Sequence, residues 1–188
     1  MKITKEELCQ SAISLFQENG FEKVSINDIC AKGCVTKGSF YHHFSCKEEL
    51  LLFWFSEHAE KMSLAIHENE NDSPYKRLIN YLEIYATGLS ELGHNLLYYT
   101  AIADSSMKQG MFIMGTSLKD KFLYLFDMTV SLVLSAQADG DIKSDTSAEM
   151  LIEIFSWSII GLIFKWKQSD GELDFSQNVR EIINTIFC

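Results

Sequence analysis

The segment that most narrows the possible folds is residues 25–48, SINDICAKGCVTKGSFYHHFSCKE, where three helix starts follow one another closely. Ser25 precedes the periodic apolar residues Ile26, Ile29 and Cys30, and Asp28 stands three positions on, the spacing of a capping box. Gly33-Cys34 ends that helix. Thr36 caps a second one carrying Lys37, Ser39, Phe40, Tyr41 and His42, and Ser45 opens a third from Cys46, with Glu48 at the reciprocal position. Helices this short are marginal in isolation. Held rigidly between neighbours, the middle one has an exposed end suited to a DNA major groove.

The same signals punctuate the rest of the chain. Thr4 and Glu7 form another capping box, so a first helix is expected to about Asn19, followed by helices over about 26–32 and 37–43. The fourth helix carries an apolar burst, Leu50 to Phe55, and turns polar near Glu68. Residues 69–73 read as a loop, with Pro74 the first residue of a helix to about Glu91 that ends at Gly93. Further helices are expected over about Asn95–Ala103 and Thr116–Ala138. Asp145 or Thr146 should cap the next, which runs to about Gln168, and Asp174 a last one to about Phe187. With Pro74 as its one proline and long apolar-periodic runs, the chain is expected to be all-α.

Residues 148–166 are apolar on most sides, yet Glu149, Glu153 and Lys165 lie among them and the run is too short to span a bilayer comfortably. Burial on two sides is the expectation, one against the subunit core and the other against a second copy. Phe155, Ile159 and Ile163, together with Val179, Ile182, Ile183 and Ile186 of the final helix, are assigned to a homodimer interface. Aromatic and methionine side chains of the body could line a cavity for an apolar small molecule. Tyr81, Tyr85, Tyr98, Tyr99, Met111, Phe112, Phe122, Phe126 and Trp157 are the candidates.

Net charge is −10, but unevenly spread: residues 1–47 carry +1 and residues 48–188 carry −11. A near-neutral head on an acidic body is compatible with binding double-stranded DNA through one end. The start, MKITKEEL, lacks signal-peptide character and no long apolar run exists, so no membrane association is expected. Five cysteines without paired spacing fit a reducing cytoplasm. Glu91-x-x-His94 has the spacing of half a di-metal site but lacks the other half, and reads as a helix end. No metal, cofactor or catalytic set is assigned, and the chain is not expected to be an enzyme.

Residues 4–52 resemble the DNA-binding segment of the TetR family of transcriptional regulators. The family's pattern is an apolar first helix ending near Leu-Phe and Gly, then Val-Ser/Thr-x-Gly-x-x-Tyr-x-x-Phe, then Lys-Glu-Glu-Leu. Here stand Leu15, Phe16 and Gly20-Phe21, then Val35-Thr36-Lys37-Gly38-Ser39-Phe40-Tyr41-His42-His43-Phe44, then Lys47-Glu48-Glu49-Leu50. The resemblance implies a helix-turn-helix domain at residues 1–47 and a ligand-binding and dimerisation body at 48–188, the two meeting in the fourth helix. It also implies a dimeric repressor that binds a palindromic operator and is released by a small, largely apolar effector.

On that reading Lys37 donates to guanine, Ser39 and Gly38 let the helix sink into the groove, and Phe40 touches a thymine methyl or packs inward. Ser25, Thr36, Tyr41, His42 and Lys47 reach phosphates. The family usually has Gly where this chain has Cys34, in a turn needing one residue with positive φ. Either Cys34 takes the left-handed region, at ~1–2 kcal/mol relative to Gly, or Gly33 takes it and the helix ends one residue early; Cys34 is the expectation, because its spacing to Val35, Thr36 and Gly38 matches the family without a gap. Two alternatives remain beside this: a thiol-based redox sensor using the head cysteines, with Cys46 beside Lys47, and an all-helical enzyme or carrier with an apolar pocket.

Overall fold

The computed structural model describes residues 3–67, 71–106 and 116–188, with side chains described outside 65–67, 102–106 and 116–122. The described residues form helices and connecting turns only. In order they are α1 (Lys5–Asn19), α2 (Ile26–Lys32), α3 (Lys37–His43), α4 (Glu48–His67), α5 (Pro74–Glu91), α6 (Gly93–Ser106), α7 (Thr116–Ala138), α8 (Ala148–Gln168) and α9 (Phe175–Phe187). Met111 and Phe112, assigned to a pocket from sequence, lie outside the described residues. Phe122 lies in α7, with its side chain outside them.

Local chemistry accounts for most boundaries. Thr4 with Glu7 and Ser25 with Asp28 close reciprocal capping boxes, and Thr36 accepts from the Ser39 amide. Several boundaries differ from expectation, and α6 runs Gly93–Ser106 rather than about Asn95–Ala103. α4 begins at Glu48 rather than Cys46, because the Glu49 carboxylate reaches back 2.6 Å to the Ser45 amide and residues 45–47 bend before the helix starts. α8 is capped by Ser147, which accepts from the Met150 amide, in place of Asp145 or Thr146.

The helices make one continuous apolar core. α1–α3 close around Leu8, Phe16, Ile29, Phe40 and Phe44; α4 packs on α1 at one end and on α5 and α7 along its length. α8 and α9 pack together, α9 also lies on α5, and α6 bridges α8 and α1. Tyr99 of α6 stacks on Phe21, just after α1, at 4.7 Å between ring centroids. The N-terminal helices therefore touch the body through α4 and α6.

Candidate nucleic-acid interface and effector cleft

The turn between α2 and α3 determines how α3 is presented. The Val35 amide donates to the Cys30 carbonyl at 2.9 Å and the Cys34 amide to the Ala31 carbonyl at 3.2 Å, the paired bonds of a Schellman end. That motif needs a left-handed residue, and Cys34 supplies it with φ 53°. Gly33 before it has an ordinary φ of −79°. Its missing side chain serves packing instead: a Cβ there would lie 3.3 Å from both the Ile29 carbonyl oxygen and Leu8 Cδ1. α2 is further tied to α1 by Lys32, whose ammonium reaches Ser14 Oγ at 2.8 Å and Glu18 Oε1 at 3.0 Å. That ammonium holds the Glu18 carboxyl below its ordinary range, and the Ser25 hydroxyl does the same for Asp28.

α3 so held shows solvent a face of Thr36, Lys37, Gly38, Tyr41 and His42, with Ser39 half-buried at its edge. Gly38 has no internal reason to be glycine. A Cβ there would meet only Thr36 Oγ1, at 3.7 Å, although glycine inside a helix costs about 1 kcal/mol relative to alanine.

Three of the expected contact residues are engaged within the subunit. Phe40 is fully buried and packs edge-on against Tyr41 and beside Phe44, on the side of α3 away from Gly38 and His42. The Ser25 hydroxyl donates to Asp28 at 2.6 Å, so its proton is already used in the cap. Lys47 turns inward: its ammonium donates to the carbonyls of Phe21 at 2.7 Å and Val24 at 3.1 Å, and lies 4.4 Å from the centroid of the Phe21 ring. Those carbonyls belong to a turn outside the helices, and a lysine at the foot of α4 donates to them.

The cysteines divide by depth. Cys9 and Cys30 are buried, and burial pushes the Cys9 thiol up to about 12; its Sγ lies 3.5 Å from the Leu50 carbonyl. Cys34, Cys46 and Cys188 are exposed. Among the described residues no cluster of His, Cys, Asp or Glu has the grouping of a metal site. Glu91 and His94 point apart, Glu91 to His58 and His94 towards Asp170 and the Trp166 ring.

In the body the sequence-assigned pocket residues do not converge. Trp157 is corrected most fully: at 59% exposure it stands on the outer face of α8. Tyr98 meets Phe164 edge-on, Tyr99 stacks on Phe21, and Tyr81 is sealed in the core. Phe126 is half-buried against that core. Tyr85 lines a cleft of about 170 Å³ between α4 and α5, and Tyr98 borders a separate one between α6 and α8. Trp54, Phe55, Ala59, Met62, Ile84 and Leu89 form the apolar walls of the α4–α5 cleft, with His58, Lys61, Thr87 and Glu91 as polar groups. Burial raises the Tyr85 phenol above its ordinary value. The sequence signal for this cleft was Trp54 and His58 at i, i+4 on one helix; their partner Glu91 was too distant to be paired with them.

The assigned dimer residues lie largely within the subunit. Phe155, Ile159, Ile163, Val179 and Ile183 are buried inside the subunit, and Ile182 and Ile186 are half-buried at the edge of α9. α8 does have a second apolar face, one step round the helix: Met150, Trp157, Ile160 and Phe164 are exposed at helical spacing.

Residues 8–52, the span of the capped helices just described, match the family model for bacterial regulatory proteins of the tetR family. In that segment the chain is similar to the TetR family of transcriptional regulators. The HTH-type transcriptional regulator UidR of Escherichia coli K12 is 24% identical over 187 residues, covering 97% of this chain and 92% of UidR. The TetC protein of transposon Tn10 from Escherichia coli is 52% identical over 50 residues, which are 27% of this chain and 25% of TetC. In three dimensions the chain is similar to the transcriptional regulator FadR of Bacillus subtilis in complex with stearoyl-CoA, with a TM-score of 0.68, 15% identity and 98% of each chain covered. The relatives that the chain matches are DNA-binding transcriptional regulators. Among the described residues no helix is long and apolar enough to cross a membrane.

Proposed function

We propose that this TetR-family chain is a homodimeric repressor. Its heads, residues 1–47, occupy the two halves of a palindromic operator, and its bodies, residues 48–188, respond to a small, largely apolar effector. The observation that carries the DNA reading is the outward face of α3. Lys37, Tyr41, His42 and Thr36 surround a glycine whose missing side chain serves nothing inside the fold. Close approach of a sugar-phosphate backbone gives that absence a purpose. Gly38→Ala should therefore raise the melting temperature of the head slightly while weakening binding to the chain's own upstream DNA, read by fluorescence anisotropy. Unchanged DNA affinity in a folded Gly38→Ala protein would remove α3 from the interface.

The dimer reading is supported by the outer face of α8. Met150, Trp157, Ile160 and Phe164 form an apolar stripe larger than isolated surface hydrophobics, and burial against the same stripe of a second copy is the symmetric way to remove it from water. The α4–α5 cleft is the proposed effector site. α4 joins the cleft to the head, so a ligand that repositions α4 changes the separation of the two heads. A near-complete switch requires the ligand to prefer the released state by ~5.5 kcal/mol. The stearoyl-CoA bound by Bacillus FadR is far larger than a 170 Å³ cleft, which favours a smaller effector here.

A further inference from the structure

We infer that the effector of the α4–α5 cleft is a small planar organic cation: one aromatic ring bearing a protonated nitrogen group. The inference rests on the reading of that cleft as the effector site and adds the ligand's chemistry. Its basis is that the protein already seats such a ring there, the imidazole of its own His58. The ring lies parallel to the Trp54 indole, 3.6 Å between centroids and 23° between planes. Its Nδ1 is 2.9 Å from the Trp54 carbonyl oxygen and its Nε2 3.1 Å from Glu91 Oε2. Both neighbours are acceptors, the partners that a ring bearing N–H donors on two sides would satisfy.

The seat is shaped for a flat group. Gly88 faces the ring from α5, where a Cβ would stand 3.1 Å from His58 Cδ2, so any larger residue would press on the imidazole. An indole under the face of the ring and a carboxylate at its edge are the two partners a flat cation needs. Size points the same way: an engineered cavity of about 150 Å³ holds one benzene, and this cleft is about 170 Å³. The acidic body, −11 over residues 48–188, draws cations towards it. Lys61 is the other charged residue lining the cleft, and it is exposed, so its ammonium can turn to water.

A ligand that takes the carboxylate and indole from His58 also unties α4 from α5. The His58–Glu91 pair links those helices, and the Glu91 carbonyl accepts a hydrogen bond from Gln17 of α1. One residue at the end of α5 therefore touches both the helix leading to the head and the head itself.

Three isosteric probes separate the possibilities by charge alone: benzamidine, benzamide and benzoate, each titrated into the full chain by calorimetry. Benzamidine should bind about tenfold tighter than benzamide, with benzoate weakest. Glu91→Gln should bring benzamidine down to the benzamide value, and His58→Ala, which vacates the seat, should tighten benzamidine binding. Equal affinities, a preference for benzoate, or an unchanged preference in Glu91→Gln would overturn the cation inference and leave the cleft as an effector site. Absence of binding by all three probes, in wild type and in His58→Ala alike, would overturn the cleft reading together with it.

Discussion

α3 and α8 both hold side chains that the subunit itself does not use, and they hold them in opposite ways. α3 is seven residues long, kept in place by caps at Ser25 and Thr36 and by the left-handed Cys34, and its outward side chains are polar. α8 is twenty-one residues long, is apolar nearly all round, and presents Met150, Trp157, Ile160 and Phe164 outward. The difference teaches where orientation comes from. A short helix bracketed by backbone hydrogen bonds has its facing dictated locally. A long apolar helix has its facing decided by which neighbours happen to cover it.

The largest test of that contrast is on α8. Ile159→Asp places an unpaired charge in the subunit core and should cost ~3–5 kcal/mol, abolishing the cooperative thermal transition seen by circular dichroism. Trp157→Glu, two residues earlier and on the outer face, should leave the transition in place and convert the dimer to monomer in light scattering. Equal behaviour of the two variants would erase the distinction between the inner and outer faces.

A smaller effect separates two lysines of the head. Lys37→Ala should weaken operator binding by ~1–3 kcal/mol and relax preference at one base position, with little change in stability. Lys47→Ala should lower head stability by about 2 kcal/mol, since its ammonium bridges the carbonyls of Phe21 and Val24. It should leave the salt dependence of DNA binding unchanged. A salt slope reduced by about 1 unit in Lys47→Ala would mean that the ammonium leaves its turn to meet a phosphate on DNA.

Cys34→Gly should stabilise the head by ~1 kcal/mol and leave DNA affinity intact, because glycine relieves the cost of φ 53° without touching the α3 face. Denaturant melts of the two proteins measure it, and a lower midpoint for the glycine variant would show that the thiol's contacts outweigh the backbone cost.

Acid should act last and least, and on the head before α8. The carboxyls of Glu18 and Asp28 titrate lower in the folded chain than in the unfolded one. The stability they contribute is present above the ordinary carboxylate range and lost as pH falls through it, roughly from pH 5 to pH 3. Hydrogen exchange should therefore quicken at α2 amides before it does at α8 amides.

The boundaries of α1, α2, α3, α5 and α9 were legible because each is set by residues within a turn of one another. Thr4 finds Glu7, Ser25 finds Asp28, Pro74 takes the first helical position, and Asp174 meets the Gln177 amide. α4 escaped by two residues because two groups competed for its start: Glu49 took the Ser45 amide, and Lys47 left the helix end for a turn formed much earlier in the chain. For the candidate sites, the exposed half of α3 could be read in advance from the cap and the 3.6-residue period. The cleft could not, since its decisive pair, His58 and Glu91, is 33 residues apart.

By itself, the sequence determined that this chain is all-helical, that a capped helix-turn-helix stands at its N-terminus, and that a left-handed residue ends α2 at Gly33 or Cys34. All three depend on short-range sterics and backbone hydrogen bonds, whose partners are a few residues away. Only the tertiary structure decided which side of α8 faces inward, that Trp157 stands outside while Phe155 and Ile159 stand within, that Lys47 serves a turn, and that Trp54, His58 and Glu91 meet. Burial is a property of the surrounding helices, and an all-round apolar helix or a long-stemmed lysine accommodates several surroundings equally well until the fold supplies one.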